Sequence, residues 1–242
     1  MGMFKRLRRS RETTPFCAAL VPAAGSASRM AGRDKVMEEL AGAPVLARTL
    51  RALEDCPLIQ EIVVVTRSDL IVPVGDLCKG FGISKATHVV VGGASRTESV
   101  RLGLQAVSSR AELVAIHDGA RPLVPQQVLD EAIRQAAATG AAAPAVPVKD
   151  TVKVAVHGQV RETPDRSCLY AVQTPQVFEA SLIRGALQKA AEEGWELTDD
   201  CSAVERLGMK VTLTQGAEEN LKLTTPIDFA IAEGILLWRA QN

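Results

Sequence analysis

Neither sign of charge prevails in this chain. Lysine plus arginine and aspartate plus glutamate each number 28 in 242 residues, so the formal net charge is zero. Nothing global therefore draws it to nucleic acid or to an acidic membrane surface, and any anion site must be built locally. Long apolar runs are also missing. The run after the basic segment Lys5, Arg6, Arg8, Arg9 and Arg11 is only about strand length, which argues against a secretory signal or a membrane span. Arg6 stands where a myristoylation signal needs serine or threonine. The five cysteines, Cys17, Cys56, Cys78, Cys168 and Cys201, form no CxxC pair and have no metal-ligand spacing; reduced thiols in a cytoplasm are expected. His88, His117 and His157 stand on separate segments without ligand spacing, and hydrogen-bonded structural roles are expected for them. No internal repeat or low-complexity block is present.

What remains is a composition of 47% hydrophobic and 23% charged residues, enough for one sizeable core. Residues 1–15 are expected to form a solvated, mobile basic tail, with a polyanion-binding arm as the alternative, and 16–242 a single domain. Short β-branched or apolar runs recur: "CAALVP" at 17–22, "EIVVVT" at 61–66, "THVVVG" at 87–92, "ELVAIH" at 112–117 and "AAAPAVPV" at 141–148. They predict strands buried on both faces. Between them, 44–55, 69–82, 95–109 and 125–139 carry apolar residues near a 3.6 period. This alternation predicts right-handed βαβ units and a mostly parallel sheet covered by helices. The stretch 149–173 breaks the pattern: Val152, Val154 and Val156 alternate with polar residues and "HGQ" reads as a turn, predicting a projecting hairpin. Helices over 179–193, 198–207 and 226–239 and a strand at 210–214 complete the chain.

In parallel sheets of this kind ligands sit beyond the carboxyl ends of the strands. The loops there are rich in small and ionic residues. Ala23-Ala24-Gly25-Ser26-Ala27-Ser28-Arg29 leads to Lys35. Gly92 to Ser99 follows the third strand, His117-Asp118-Gly119-Ala120-Arg121 the fourth, and Lys149-Asp150-Thr151 the fifth. Small residues let backbone N–H groups approach a ligand closely, and a following helix start favours anions. The first loop is no Walker A motif, because no Gly-Lys-Ser/Thr closes it, and it lacks the third glycine of a dinucleotide fingerprint. Arg29 and Lys35 suit two faces of a polyphosphate, or are ordinary surface cations. Asp199 and Asp200 read either as a second acidic site or as carboxylates stabilising a helix start.

The segments "PAAGSASRM…DK", "GGASRTESV", "HDGARP", "PVKDTVK", "QTPQ", "LTDDCSAVE" and "NLKLTTPID", taken in this order, resemble the 2-C-methyl-D-erythritol 4-phosphate cytidylyltransferase family of the non-mevalonate isoprenoid pathway. The resemblance runs from about Cys17 to Leu237. It implies an α/β, Rossmann-like nucleotidyltransferase fold, a three-layer sandwich with a mostly parallel sheet and a projecting β-hairpin arm. It also implies CMP transfer from CTP to methylerythritol phosphate with Mg²⁺. By the same resemblance Ala23, Ala24 and Gly25 wrap the triphosphate, and Arg29, Lys35 and Lys222 stabilise charge at the phosphates. Gly93 and Ser99 line the cytidine pocket, and Asp118 stands near the ribose and the metal. Arg121, Thr151, Arg166, Thr174 and Thr198 surround the acceptor. The 149–173 arm joins a homodimer and carries Arg166 into the neighbouring site. Ala27, Gly119 and the Asp34-Lys35-Val36 segment depart from the usual family residues. Rival readings are a ribitol 5-phosphate or other polyol-phosphate cytidylyltransferase, and a non-catalytic nucleotide-binding dimer on the same scaffold. "PVKDTVK" and "LTDDCSAVE" favour the methylerythritol acceptor.

The chemistry is coherent with this residue set. A phosphate monoester is mostly a dianion at neutral pH, so its attack on an α-phosphorus needs charge neutralisation more than a general base. A site with cations, one carboxylate and no evident nucleophile is then expected.

Overall fold

The computed structural model describes residues 15–25 and 34–241. Most of the basic tail, together with Ala27 and Arg29, lies outside them. The first apolar run becomes β1 (Cys17–Pro22). Its alternate residues feed opposite layers, Cys17, Ala19 and Val21 one core cluster and Ala18 and Leu20 another. A strand buried on both faces needs such an unbroken apolar run. A small ribbon follows, β2 (Glu39–Leu40) with β3 (Ala43–Pro44), and leads into α1 (Val45–Glu54). Then come β4 (Ile59–Thr66), α2 (Ile71–Gly80), β5 (Ala86–Val91), α3 (Arg96–Ala106), β6 (Leu113–Ile116), α4 (Gln126–Thr139) and β7 (Ala141–Pro147).

Strands β5, β4, β1 and β6 pair in parallel in that spatial order. The chain starts at β1 and winds outward in both directions, so the order of winding reverses at β1. Leu46, Leu50, Leu129 and Ile133 of α1 and α4 cover one face of the sheet. On the other, Val100 and Leu104 of α3 join the core. One expectation is corrected at the edge. Among the described residues β5 pairs only with β4, and Val91 is 49% exposed; a terminal strand lacks the second neighbour and the full helix cover that would bury both its faces.

Two further corrections concern the second half of the chain. The two-stranded ribbon is shorter than 149–173: it comprises β8 (Val154–Val156) and β9 (Gln159–Glu162), all exposed. His157 and Gly158 turn it, both with positive φ, as a two-residue hairpin loop of this hand requires. The chain then re-enters the main sheet as β10 (Tyr170–Val172), followed by β11 (Gln176–Glu179). Both run antiparallel to β7, and β11 also pairs antiparallel with β6. β7 is thus separated from β6 by an inserted strand. The run at 176–179 is short, abuts a helical period and carries no turn signal of its own, so periodicity does not reveal it. Helices α5 (Ala180–Glu192) and α6 (Asp200–Arg206), strand β12 (Thr212–Gln215), parallel to β7, and α7 (Pro226–Gln241) match the expected positions. Ile183, Leu187 and Val204 of α5 and α6 complete the second face, and α7 packs on Leu40, Val45, Leu123 and Leu223.

Two helical glycines differ in their surroundings. A Cβ on Gly103 of α3 would meet Val65 at 2.5 Å and Leu20 at 2.8 Å, whereas one on Gly185 of α5 would meet nothing within 4 Å. Gly103→Ala is therefore expected to destabilise the fold by about 1–3 kcal/mol through overpacking. Gly185→Ala should stabilise it by up to about 1 kcal/mol through helix propensity. Urea midpoints of the two variants check the opposite signs.

Candidate active site

The strand-end loops converge where the winding reverses, as expected for a ligand crevice in a doubly wound sheet. After β1, the Ala23 N–H donates to the Val65 carbonyl of β4, and the Gly119 N–H donates back to the Pro22 carbonyl, 3.1 Å away. A Cβ on Gly119 would come within 3.1 Å of the Ala23 Cβ and 3.3 Å of that carbonyl, so glycine lets the first and fourth loops approach closely. Between these loops, the start of α3 and the 222–224 segment lies a cavity of about 480 Å³. Its walls include Ala23, Ala24, Gly25, Lys35, Gly93, Ser99, Asp118 and Lys222, eight of the residues singled out from sequence. Their separation along the chain spans nearly its whole length.

The third loop is shaped by hydrogen bonds. Ser95 caps α3 by accepting from the Glu98 N–H, the Glu98 carboxylate accepts from the Ala94 N–H, and the buried Ser99 hydroxyl accepts from the Gly93 N–H. Lys35 is placed by its neighbour. Asp34 pairs with Arg67 at the end of β4, 2.7 Å apart, and its other oxygen accepts from the Val36 N–H. Asp34 thus anchors the segment that carries Lys35.

Asp118 is the electrostatic centre. It is only 7% exposed. Its Oδ2 lies 2.8 Å from Lys222 Nζ and 3.9 Å from Arg121 Nε, and its Oδ1 accepts from Arg96 Nε at 3.3 Å. Burial opposes the charge of this carboxyl, but Arg96, Lys222 and Arg121 outweigh burial and hold its pKa well below the usual carboxylate range. Arg96 turns its Nη2 to Asp200, 2.8 Å away, and Asp200 is almost wholly buried. Burial pushes the Asp200 pKa up and Arg96 pulls against it.

The segment Gln173–Gln176 holds three of these pieces. Gln173 Oε1 accepts from the Ala217 N–H and from Asn220 Nδ2, and its Nε2 donates to the Ala217 carbonyl, fixing the loop that leads to Lys222. The Thr174 hydroxyl accepts from the Asp118 N–H at 3.1 Å and lies 3.0 Å from His117 Nδ1. His117 Nε2 faces the Arg121 carbonyl at 3.2 Å and must donate to it, so Nδ1 accepts from Thr174. Gln176 Oε1 accepts from the Asp200 and Cys201 N–H groups and its Nε2 donates to Asp199. Asp199 itself forms a capping box with Ser202.

The remaining expected residues fall elsewhere. Thr174 is buried and its hydroxyl bonds His117 and the Asp118 N–H, which holds the fourth loop. Arg121 is largely buried beside Asp118 and donates to the Asn220 carbonyl. Thr151, Arg166 and Thr198 are exposed and do not line the cavity of their own chain; Arg166 bonds the Lys149 carbonyl. Arg96, Gln173 and Gln176 lie within the quoted motifs, yet sequence reasoning assigned them no part, and it read Asp200 only as a second acidic site or a helix-start carboxylate. The one available signal was an arginine at the first position of a helix beside a glycine-rich turn. Histidine 117 has the expected structural role, and Asp199, not Asp200, is the helix cap.

His117 generates a test. Wholly buried, it has its pKa pushed down to about 4 by desolvation, against 6.5 when unperturbed. The unfolded chain binds this proton first, so the contribution of His117 favours the fold above pH 6.5 and is lost as pH falls from 6.5 to about 4. The expected loss is about 3 kcal/mol across that window. His117→Asn should be less stable at pH 7 and flatter between pH 6.5 and 4, as read from urea unfolding at several pH values.

Comparison with known proteins agrees with the geometry. A family model described as 2-C-methyl-D-erythritol 4-phosphate cytidylyltransferase matches residues 17–237. A protein of that name from Symbiobacterium thermophilum is 47% identical over 225 residues, covering 90% of this chain and 92% of the relative. One from Desulforamulus reducens is 48% identical over 227 residues, covering 90% and 94%. Among solved structures, 4-diphosphocytidyl-2C-methyl-D-erythritol synthase from Anaerococcus prevotii superposes with a TM-score of 0.83 at 30% identity, covering 93% of this chain and 97% of that one. With the matched segment containing every cavity residue singled out above, the chain belongs to the 2-C-methyl-D-erythritol 4-phosphate cytidylyltransferase family.

Proposed function

We propose that the cavity between the β1, β5 and β6 loops is where this cytidylyltransferase brings CTP against 2-C-methyl-D-erythritol 4-phosphate. The observation that carries the reading is the meeting of Lys35, Lys222 and the buried Asp118 on a cavity floored by small residues. Ala23, Ala24 and Gly25 leave their backbone close to the triphosphate, and Gly93 and Ser99 line the cytidine side. A phosphate oxygen of the acceptor attacks the α-phosphorus, the new P–O bond forms as the α–β phosphoanhydride bond breaks, and pyrophosphate leaves with the electron pair. No proton has to be removed from a dianionic acceptor. Lys35 and Lys222, joined by Arg29 of the same first loop, hold the anionic reactants together and stabilise the charge that builds on the phosphoryl oxygens.

The donor set of Asp118 suits Mg²⁺, which is commonly held by one or two carboxylates with substrate phosphates and water completing its shell. Among the described residues no cluster of three or more acidic, histidine or cysteine ligands exists that would serve a metal without the nucleotide. When bound, the ion would neutralise phosphate charge on the nucleotide, and Asp118, oriented by Arg96 and the Thr174 hydroxyl, would hold it.

The acceptor side is completed across a dimer. Val152, Val154, Val156 and Val160 on and beside the arm are exposed, and an isolated two-stranded ribbon is marginal in water. A second copy would cover them, and Arg166 at the base of the arm would reach the neighbouring cavity to bind the acceptor phosphate, with Thr151 and Thr198 near its hydroxyls. Residues 16–242 act as one domain in this reading. The cytoplasm is the proposed compartment, in keeping with five free cysteines of which four are buried. No described helix is long and apolar enough to cross a membrane.

A pyrophosphate-release assay across nucleotides and acceptors tests the reading. CTP with methylerythritol 4-phosphate should exceed erythritol 4-phosphate moderately and ribitol 5-phosphate strongly in kcat/KM, since a missing methyl is discriminated by about 10- to 200-fold and an unpaired polar contact by more. Arg29→Ala and Lys35→Ala should each lower turnover by roughly 10² to 10³ without loss of fold; near-normal turnover would remove them from the site.

The dimer has its own check. Verified heterodimers of an Arg166→Ala chain and a Lys35→Ala chain contain one intact composite site and should recover about half of the wild-type activity. No recovery would confine Arg166 to its own subunit.

A further inference from the structure

Asp200 is buried at a cost that its helix does not explain. Asp199 already closes the start of α6, its side chain accepting from the Ser202 N–H at 2.9 Å while the Ser202 hydroxyl lies over the Asp199 backbone. Gln176 accepts from the next two N–H groups. The carboxylate of Asp200, 1% exposed, is left with Arg96 as its ion-pair partner among the described residues. Placing a carboxylate in the interior is costly unless it is paired. The partner is a residue that lines the cavity and also holds Asp118.

The geometry of the fork matters. Arg96 donates Nη2 to Asp200 Oδ2 at 2.8 Å and Nε to Asp118 Oδ1 at 3.3 Å, and the same Nη2 also lies 3.3 Å from Asp118 Oδ1, so the guanidinium reaches one oxygen of Asp118 while it is held to Asp200. Its guanidinium is therefore divided between two carboxylates. Freed from Asp200, the planar fork would turn onto Asp118 as a bidentate pair, the arrangement arginine favours with a carboxylate, and would occupy oxygen lone pairs that a cation needs. We infer that Asp200 is a positioning residue for the transfer reaction: by holding Arg96 to one oxygen of Asp118 it keeps the guanidinium from closing over both oxygens of the carboxylate that would meet the metal–nucleotide complex. The same contact ties α6, two residues beyond Thr198, to the nucleotide loop. The inference rests on the proposed metal-bearing role of Asp118.

The test measures binding, by calorimetry, of Mn²⁺·CTP and of metal-free CTP to the full chain. Asp200→Asn should reduce the gain in affinity that Mn²⁺ confers by roughly 10- to 100-fold, the usual effect of removing a group that orients a metal ligand. Metal-free CTP should bind almost as before. In an Arg96→Gln background the same substitution should change the gain little, because the fork it restrains is gone. An unchanged gain in D200N, or equal losses with and without Arg96, overturns the inference. Asp200→Ser, smaller and neutral, replaces D200N if that variant does not fold, and failure of both to fold assigns Asp200 a purely structural role instead. Asp118→Asn separates the two claims. If it abolishes the Mn²⁺ gain while D200N does not, only the positioning role falls; if it leaves the gain intact, the metal reading falls and takes the inference with it.

Discussion

A carboxylate that is only 7% exposed at the end of β6 sets the terms for this site. An isolated charge there would neutralise itself by shifting its pKa upward. Asp118 stays ionised because Lys222, Arg96 and Arg121 surround it. Each of those cations arrives on a different element, and each must be held by others. The surrounding framework therefore reads as the means of assembling one compensated charge on the wall of this cavity.

That framework depends on the inserted antiparallel segment. Gln173, Thr174 and Gln176 fasten the Lys222 loop, the Asp118 loop and the start of α6 in turn. All three side chains are buried, and each bonds backbone groups that have no strand or helix partner of their own. Paired polar groups in such surroundings make a site rigid, whereas an unmatched one would be costly. The segment thus links the part of the chain that enters the sheet from the arm to the nucleotide loops. If the arm meets a second copy, as proposed, the linkage runs from the interface to Asp118.

The charges also divide the labour of phosphoryl chemistry. Lys35 and Lys222 line the cavity wall, Lys222 with its ammonium 2.8 Å from Asp118, and in the proposed reaction both would meet substrate oxygens as point charges. Arg96 donates to Asp118 and Asp200, and Arg121 donates to the Asn220 carbonyl with its Nε 3.9 Å from Asp118. The lysines suit a substrate whose charge moves during reaction, and the planar arginine forks suit fixed partners.

Much of this was legible from residue order alone. Unbroken apolar runs with helical periods between them can be satisfied only by strands buried under helices, which gave the parallel sheet and located the loops at its carboxyl ends. Small residues with Lys35 and Asp118 marked those loops because close backbone approach and local charge are written in residue type, whereas Lys222 came only with the family motif. The motif order carried the family. Other features had no local signature. The edge position of β5, the antiparallel entry of β11 and the return of β10 to the sheet depend on which strands become neighbours, and pairing is a long-range choice. The family motif marked Thr174, but the meeting of its hydroxyl with His117 and the Asp118 N–H was visible only in the fold. Asp200 looked like a helix-start carboxylate; its pairing with Arg96 joins residues more than a hundred positions apart. Composition and periodicity determine which groups this chain buries and which loops it exposes, whereas the partner of each buried charge is decided only when the folded chain brings distant segments within a few ångströms.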